Sequence, residues 1–313
     1  MKRPLFLALW VALALAVVLG GLEGGLRALR AWRGMAYDAG PPLAEQLIRA
    51  SAIPGLVFEL RPGAGNDESR ISDLGFRGAP FPRAKPPGEK RVFVVGDSVV
   101  YGVGVRENQT IPVRLQALCD GRFPGRCRVV NAGVMGYDAA QYRAACERKL
   151  PPLGADAFVV LLNCEDLEGL DAVPVTGPAA RALFRHVLLY RVAARVRFAL
   201  TAADPQARRA NLAAVQALAD HARDEPTRWL LVLHPWFFDR RPDWMRAEMN
   251  RIRGVLEARG VTPVDEEPVL RARFGKLAGL GSPVEDYKHP NAAVVAVIAD
   301  AIFAEMVKRE IVP

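Results

Sequence analysis

The segment RVFVVGDS, residues 91–98, is the most informative part of this chain about its fold. It contains four consecutive apolar residues that end at Gly96, which is typical of a strand buried in a parallel sheet. Gly96 permits a sharp turn, so the hydroxyl of Ser98 can be presented at the carboxyl end of that strand. Reactive groups of open α/β sheets lie along this edge, although an Asp or Ser after a strand is also typical of a helix N-cap. The segment predicts an α/β domain with Ser98 as a candidate nucleophile.

Short apolar runs alternate with helical stretches along the rest of the chain. Five strands that alternate with helices imply a doubly wound α/β sandwich around a parallel sheet. The later strands are predicted at residues 128–131, 157–162, 229–233 and 261–264. The helices are predicted at residues 111–119, 139–150, 178–200, 205–223, 243–259 and 291–308. The glycines of GVG at residues 102–104 lack a third glycine at dinucleotide spacing, which excludes a Rossmann nucleotide site.

An uncharged apolar run at residues 5–22 dominates the N-terminus. Its length of about 18 residues is near the minimum for a membrane-spanning helix, and no cleavage site or lipobox cysteine follows it. We therefore predict an uncleaved signal anchor, with a cleaved signal peptide as the alternative. Basic residues flank the run on both sides, at Lys2, Arg3, Arg27, Arg30 and Arg33. Under the positive-inside rule, the basic residues on the two sides favour opposite orientations of the run. We expect the remaining chain to lie outside the cytoplasm.

The predicted domain organisation has three parts. Residues 1–33 form the anchor helix with its basic flank, residues 34–89 form an extended juxtamembrane segment rich in Gly and Pro, and residues 90–313 form the α/β domain. The net charge of +8 comes almost entirely from scattered Arg and forms no basic stripe with interleaved aromatic residues. The charge therefore argues against a nucleic-acid partner and suits an acidic membrane surface.

The four cysteines are consistent with a compartment that permits disulfides. Cys119 and Cys127 bracket a short turn rich in Gly and Pro, and we predict that they can form a disulfide. Cys146 and Cys164 either pair or remain free thiols. The cysteine spacing suits no common zinc site, so no metal is expected there.

A second group of reactive side chains precedes the last helix, in DYKHPN at residues 286–291. Asp286 can hold the Nδ1 proton of His289 three residues later, while the other ring nitrogen faces Ser98. Asp265, at the end of the fifth strand, is a rival for the orienting role, but its spacing is less favourable. We interpret His234, at the end of the fourth strand, as a packed histidine.

Three motifs resemble those of the SGNH (GDSL) hydrolases: VVGDS at 94–98, NAGVMG at 131–136 and DYKHP at 286–290. In addition, ISDLGFRG at 71–78 resembles the lead-in of membrane-anchored bacterial members. The resemblance implies a three-layer, flavodoxin-like α/β/α fold with a five-stranded parallel sheet. It also implies ester hydrolysis by Ser98, His289 and Asp286, with the N–H groups of Ser98 and Gly136 as the oxyanion hole and no metal or cofactor.

One motif departs from the family pattern. The third family block is G-x-N-D, whose asparagine donates a hydrogen bond to the oxyanion, but residues 162–166 read LNCED. Glu165 stands where the asparagine belongs, and Asn163 lies two residues earlier. A carboxylate there would repel the oxyanion, and losing one donor costs roughly a hundred- to a thousandfold in rate. Asn163 could reach the site through a bulge, Glu165 could be protonated and donate, or the enzyme could be slow or inactive.

Three functions follow as expectations. The first is a membrane-anchored serine esterase that acts on O-acyl groups of cell-envelope glycans or lipids. The second is a polysaccharide O-acetyltransferase with the same triad. The third is a catalytically degenerate SGNH domain that serves as a glycan-binding or scaffolding module, with Glu165 as the sign of lost catalysis.

Overall fold

The structure of the chain, a computed structural model, describes most of its residues: 2–32, 47–65, 69–168, 183, 187, 189, 190, 193, 205–240, 242–283 and 286–313. The chain divides into two compact units. One comprises Met1–Gln46 and Val173–Thr201, and the other comprises Leu47–Ala172 and Ala202–Pro313. The second unit contains both blocks in which the candidate triad residues lie. The predicted helix at residues 178–200 falls outside the described residues, apart from isolated positions.

The first unit contains helix α1, Lys2–Trp32. Many of its apolar side chains are exposed, among them Trp10, Val17 and Leu22. Within the part of the chain that the structure describes, however, no helix is long and apolar enough to cross a membrane. The structure therefore does not support the predicted membrane-spanning anchor over residues 1–33.

The second unit begins with a small antiparallel pair, β1 (Ile48–Ala50) and β2 (Phe58–Leu60). The hydroxyl of Tyr137 donates a hydrogen bond to the carbonyl of Phe58 at 2.6 Å. The side chain of Gln141 accepts from Val57 N–H at 2.9 Å. These contacts fasten the strand pair to the α/β unit.

The main sheet has five parallel strands, as predicted. The strands are β3 (Lys90–Gly96), β4 (Cys127–Gly133), β5 (Ala157–Leu162), β6 (Trp229–Leu233) and β7 (Val264–Asp265). Their order across the sheet is β4-β3-β5-β6-β7, the flavodoxin-like order. Every residue of β5 and β6 is buried, as expected for strands that are covered on both faces.

Helices cover the sheet in two groups. The helices of this unit are α2 (Ser98–Tyr101), α3 (Ile111–Arg122), α4 (Ala139–Ala144), α5 (Pro205–Asp224), α6 (Asp243–Glu257), α7 (Glu266–Phe274) and α8 (Ala292–Lys308). A π turn, Ala145–Lys149, continues α4, and 3₁₀ turns lie at Glu107–Gln109 and Pro151–Leu153. Helices α3, α7 and α8 pack together, and so do α4, α5 and α6. This is a sheet with helices on both sides.

The disulfide predicted between Cys119 and Cys127 is not formed in the structure. Both residues are buried free thiols, and so are Cys146 and Cys164. Cys119 on α3 and Cys127 on β4 are close enough to share a hydrogen bond, which together with burial raises the pKa of Cys119. The short turn therefore does bring the two residues together, but they pack in the apolar core as thiols.

Gly133, at the end of β4, has no room for a side chain. A Cβ atom there would lie 2.2 Å from the backbone nitrogen of Tyr101 and 2.7 Å from the carbonyl carbon of Val100. Both atoms belong to the backbone of α2, so relief would require that helix to move. We expect Gly133→Ala to lower the free energy of unfolding by about 3 kcal/mol, measured by chemical denaturation.

Gly254 provides the matched control for this substitution. It lies in α6, and a Cβ atom there would meet nothing within 4 Å. Gly254→Ala should therefore raise stability by about 0.5–1 kcal/mol through helix propensity. If the Gly133→Ala and Gly254→Ala variants had equal free energies of unfolding, the backbone of α2 would not be in close contact with Gly133.

Candidate active site

The turn after β3 positions Ser98. The carboxylate of Asp97 accepts a hydrogen bond from Val99 N–H at 2.8 Å and so caps α2, whose first residue is Ser98. Gly96 is needed for the close approach of this turn, because a Cβ atom there would lie 2.4 Å from a methyl carbon of Val100. The hydroxyl is therefore held at the carboxyl end of a central strand.

Arg77, in the lead-in motif at residues 71–78, fixes the other end of α2. Its buried guanidinium donates to the carbonyls of Tyr101 at 2.8 Å and Gly102 at 2.7 Å. Gly102 ends the helix with a φ of 95°, which favours glycine. The lead-in motif therefore has a physical role as a clamp on the short helix that carries Ser98.

The loop before α8 positions Asp286 and His289. The Oδ1 atom of Asp286 accepts from the backbone N–H of Lys288 at 2.7 Å and of His289 at 2.9 Å. The carbonyl of His289 in turn accepts from Ser282 N–H at 2.9 Å. Asn291 caps α8 immediately afterwards, so the loop is held at both ends. We refer to residues 286–289 as the histidine loop.

The structure brings Ser98, His289 and Asp286 into one hydrogen-bonded chain. His289 Nε2 lies 2.8 Å from Ser98 Oγ, and His289 Nδ1 lies 2.7 Å from Asp286 Oδ2. Burial raises the pKa of Asp286, but hydrogen bonds from the backbone and ring of His289 outweigh it, so the net pKa is lowered. An ionised Asp286 can only accept, so Nδ1 carries the ring proton and Nε2 is free to accept from Ser98. This is the geometry of a Ser-His-Asp catalytic triad.

Asp265 does not take part in this arrangement. Its Oδ1 atom accepts from Glu267 N–H at 3.1 Å and caps α7, and its Oδ2 atom pairs with Arg253 at 2.7 Å. Of the two candidate orienting carboxylates, the structure therefore places Asp286 at His289.

The second motif is fixed against the nucleophile turn. The side chain of Asn131 accepts from Gly133 N–H at 3.0 Å and donates to the carbonyl of Tyr101 at 3.2 Å. Val134 N–H donates to the carbonyl of Gly96 at 3.0 Å. Gly136 follows with a φ of 81°, a left-handed conformation that suits glycine. These contacts hold the segment that carries Gly136 beside the turn that carries Ser98.

Asn163 is held within a buried network rather than at the candidate oxyanion position. Its amide nitrogen donates to Asp97 Oδ2 at 3.2 Å, and its amide oxygen accepts from Glu165 N–H at 2.9 Å. The side chain is buried. The carboxylate of Asp166 extends the network, because it accepts hydrogen bonds from Asn163 N–H at 2.7 Å and from the Tyr142 hydroxyl at 2.8 Å. The structure therefore places the Asn163 amide in hydrogen bonds with Asp97 and with the backbone of the third motif.

Glu165 is paired with a lysine that sequence reasoning missed. The ammonium of Lys288 lies 2.5 Å from Glu165 Oε2 and 2.9 Å from Asp97 Oδ2. Burial alone would lower the pKa of Lys288, but the two carboxylates raise it well above its usual range. Glu165 Oε2 therefore accepts a hydrogen bond from the Lys288 ammonium. The position of Lys288 between Asp286 and His289 was the available signal.

A second histidine–carboxylate pair supports the histidine loop. His234 Nδ1 lies 2.6 Å from Glu266 Oε2, and its Nε2 lies 3.1 Å from the carbonyl oxygen of Lys288. Both side chains are buried. Burial lowers the pKa of His234, but the Glu266 carboxylate and the Lys288 carbonyl raise it more. His234 is the packed strand-end residue that we expected, and it also anchors the histidine loop to β6.

Aromatic side chains surround the outer side of the histidine loop. Trp236 is buried, whereas 46% of Tyr287 is exposed. The Tyr287 ring stacks on Phe238 with 5.0 Å between ring centroids. No group of three or more His, Cys, Asp or Glu side chains that could hold a metal ion occurs among the described residues.

Comparison with known proteins gives structural likenesses only. No protein-family model matches the chain, and no curated protein matches it. LAE5, described as an alpha/beta hydrolase enzyme from the metagenome of Lake Arreo, Spain, is 21% identical with a TM-score of 0.48, over 72% of this chain and 97% of that one. Axe2, an acetylxylan esterase from Geobacillus stearothermophilus, is 16% identical with a TM-score of 0.46, over 70% of this chain and 95% of that one. At these values, neither likeness decides what this chain does.

Proposed function

We propose that this protein is a serine esterase that hydrolyses carboxylic esters. The observation that supports the proposal is the hydrogen-bonded series Ser98–His289–Asp286, assembled from the two ends of the α/β unit. A serine hydroxyl at neutral pH is a weak nucleophile, and His289 Nε2, 2.8 Å from Ser98 Oγ, is placed to act as the base that activates it. The lowered pKa of Asp286 keeps the orienting carboxylate charged throughout the neutral range.

The reaction follows from the positions of these atoms. Ser98 Oγ attacks the ester carbonyl as its proton passes to His289 Nε2, and the imidazolium is stabilised by Asp286. The oxyanion is received by the backbone N–H groups of Ser98 and Gly136. His289 then protonates the departing alcohol, and an activated water molecule releases the acyl group from Ser98 by the reverse path.

The substrate class and location are proposals from the sequence alone. O-acyl groups of cell-envelope glycans or lipids would suit a location outside the cytoplasm, and the support for that location is the apolar run at residues 5–22. Protease accessibility of the α/β unit in spheroplasts would test the location. If the protease digested the α/β unit only after lysis of the spheroplasts, the proposed location outside the cytoplasm would be contradicted.

Active-site labelling tests the esterase proposal directly. A fluorophosphonate reacts with an activated serine, whose oxygen displaces fluoride from phosphorus, so the peptide that contains Ser98 is expected to gain the mass of the probe less that of HF. Heat-denatured protein should not be labelled, because activation requires the folded triad. Ser51→Ala is the matched control and should be labelled normally, since the Ser51 hydroxyl accepts a local turn hydrogen bond from Ile53 N–H. Folded protein that leaves Ser98 unlabelled would contradict the proposal.

A further inference from the structure

We propose that Lys288 is a positioning residue that neutralises Glu165 beside the oxyanion site. The inference rests on the proposed esterase function and extends it, because it explains how catalysis tolerates a carboxylate where the resembled family has an asparagine. It also assigns a task to a buried cation that the triad mechanism does not use.

The contacts of Lys288 join three motifs. Its ammonium bridges Glu165 of the third motif and Asp97, the residue before Ser98. Its backbone N–H donates to Asp286, and its carbonyl accepts from His234. The backbone of Lys288 is therefore held by its hydrogen bonds in the histidine loop and with His234, and its side chain contacts the third motif. Only 9% of Lys288 is exposed, so the ammonium is poorly screened by solvent.

The Lys288 ammonium matters because it balances the negative charges of two nearby carboxylates. Without Lys288, the carboxylates of Glu165 and Asp97 would face each other close to the point where negative charge develops on the substrate. Like charges in a partly buried site repel strongly, and a buried charge that loses its partner is costly. Asp97 would still be held by Val99 N–H and the amide of Asn163. Glu165 would lose its ammonium partner, so the repulsion of the oxyanion would come mainly from Glu165.

Asn163 cannot supply the compensation. Its amide nitrogen is engaged by Asp97, and its amide oxygen by Glu165 N–H. These bonds hold the backbone of the third motif in place and leave the carboxylate of Glu165 pointing to Lys288. The pair Glu165–Lys288 therefore occupies the region where a neutral donor is expected, and the ammonium, which it shares with Asp97, offsets the negative charge of Glu165 there.

The test compares Lys288→Met with the double variant Lys288→Met/Glu165→Gln in the full chain. For hydrolysis of p-nitrophenyl acetate, K288M is expected to lose about 100-fold in kcat with little change in KM, because the repulsion acts on the transition state. The double variant removes the unpaired charge and should recover to within about tenfold of the wild-type kcat. Lys276→Met, at an exposed lysine, controls for the substitution itself.

The recovery separates an electrostatic role from a merely structural one. If Lys288 only supported the fold, the double variant would be no more active than K288M, and that result would overturn the inference. Wild-type kcat in K288M would overturn it as well. If K288M does not fold, the double variant carries the test alone, and activity as low as that of Ser98→Ala contradicts the inference. The esterase proposal fails separately, when the wild type shows no turnover that depends on Ser98.

Discussion

Replacement of Ser98 by Ala is expected to lower kcat for p-nitrophenyl acetate by roughly 10⁶-fold. The substitution removes the only atom that forms the acyl-enzyme, while the N-cap bond from Val99 to Asp97 stays in place. The backbone N–H at position 98 also remains, so binding of the oxyanion is retained. The residual activity of the variant is the slow attack of water on an ester bound in the site.

Steady-state kinetics with the purified full chain give the measurement, and thermal denaturation shows whether the variant is folded. Ser51→Ala is the control, and its kcat should match that of the wild type. A folded S98A variant with more than about one hundredth of the wild-type kcat would exclude Ser98 as the nucleophile, since activity of that size requires another attacking group.

The central strands could be predicted because they are buried on both faces. Such strands are continuous apolar runs, and the predicted bounds of β5 and β6 agree with the structure. The edge of the sheet that contains β7 was harder to predict from the sequence. Strand β7 is only Val264–Asp265, and α7 begins at the next residue. Pro268 in its first turn and a weak apolar period concealed that helix from sequence reasoning.

The hydrogen-bonded series Ser98–His289–Asp286 could be predicted because its members fall into two short local patterns. Asp286 and His289 are three residues apart, and the carboxyl edge of the sheet brings them to Ser98. The ion pair between Lys288 and Glu165 joins residues 123 positions apart. Neither sequence pattern specifies which way these long side chains turn. The tertiary structure determines that choice, because it places the carboxylates of Asp97 and Glu165 where both contact the Lys288 ammonium.

The sequence predicts that Cys119 and Cys127 lie close together, but it does not determine whether they form a disulfide. Spacing across a turn indicates that Cys119 and Cys127 can meet, and they do meet. Proximity permits a bond but does not require one, and two buried thiols pack as small apolar groups with a shared hydrogen bond. Closeness in a turn is therefore predictable, whereas the oxidation state is not.

Replacement of Asp286 by Asn is expected to lower kcat at neutral pH by about 10⁴-fold, although the shape of the site is retained. Asp286 Oδ1 accepts from two backbone N–H groups, and Oδ2 faces His289 Nδ1. In the variant, the amide oxygen keeps the backbone bonds, so the amide NH₂ faces Nδ1. An NH₂ group can only donate, which forces the ring proton onto Nε2. His289 then cannot accept the proton of Ser98.

Asp265→Asn is the matched control, because Asp265 was the rival orienting residue. It caps α7 and pairs with Arg253 in a partly exposed setting, so an asparagine should change kcat by less than about threefold. NMR of the His289 ring nitrogens would separate the tautomer effect from a loss of geometry, since D286N should carry its proton on Nε2. Wild-type kcat in D286N would show that Asp286 does not orient His289. A loss of kcat in D286N with the proton still on Nδ1 would attribute that loss to altered geometry instead.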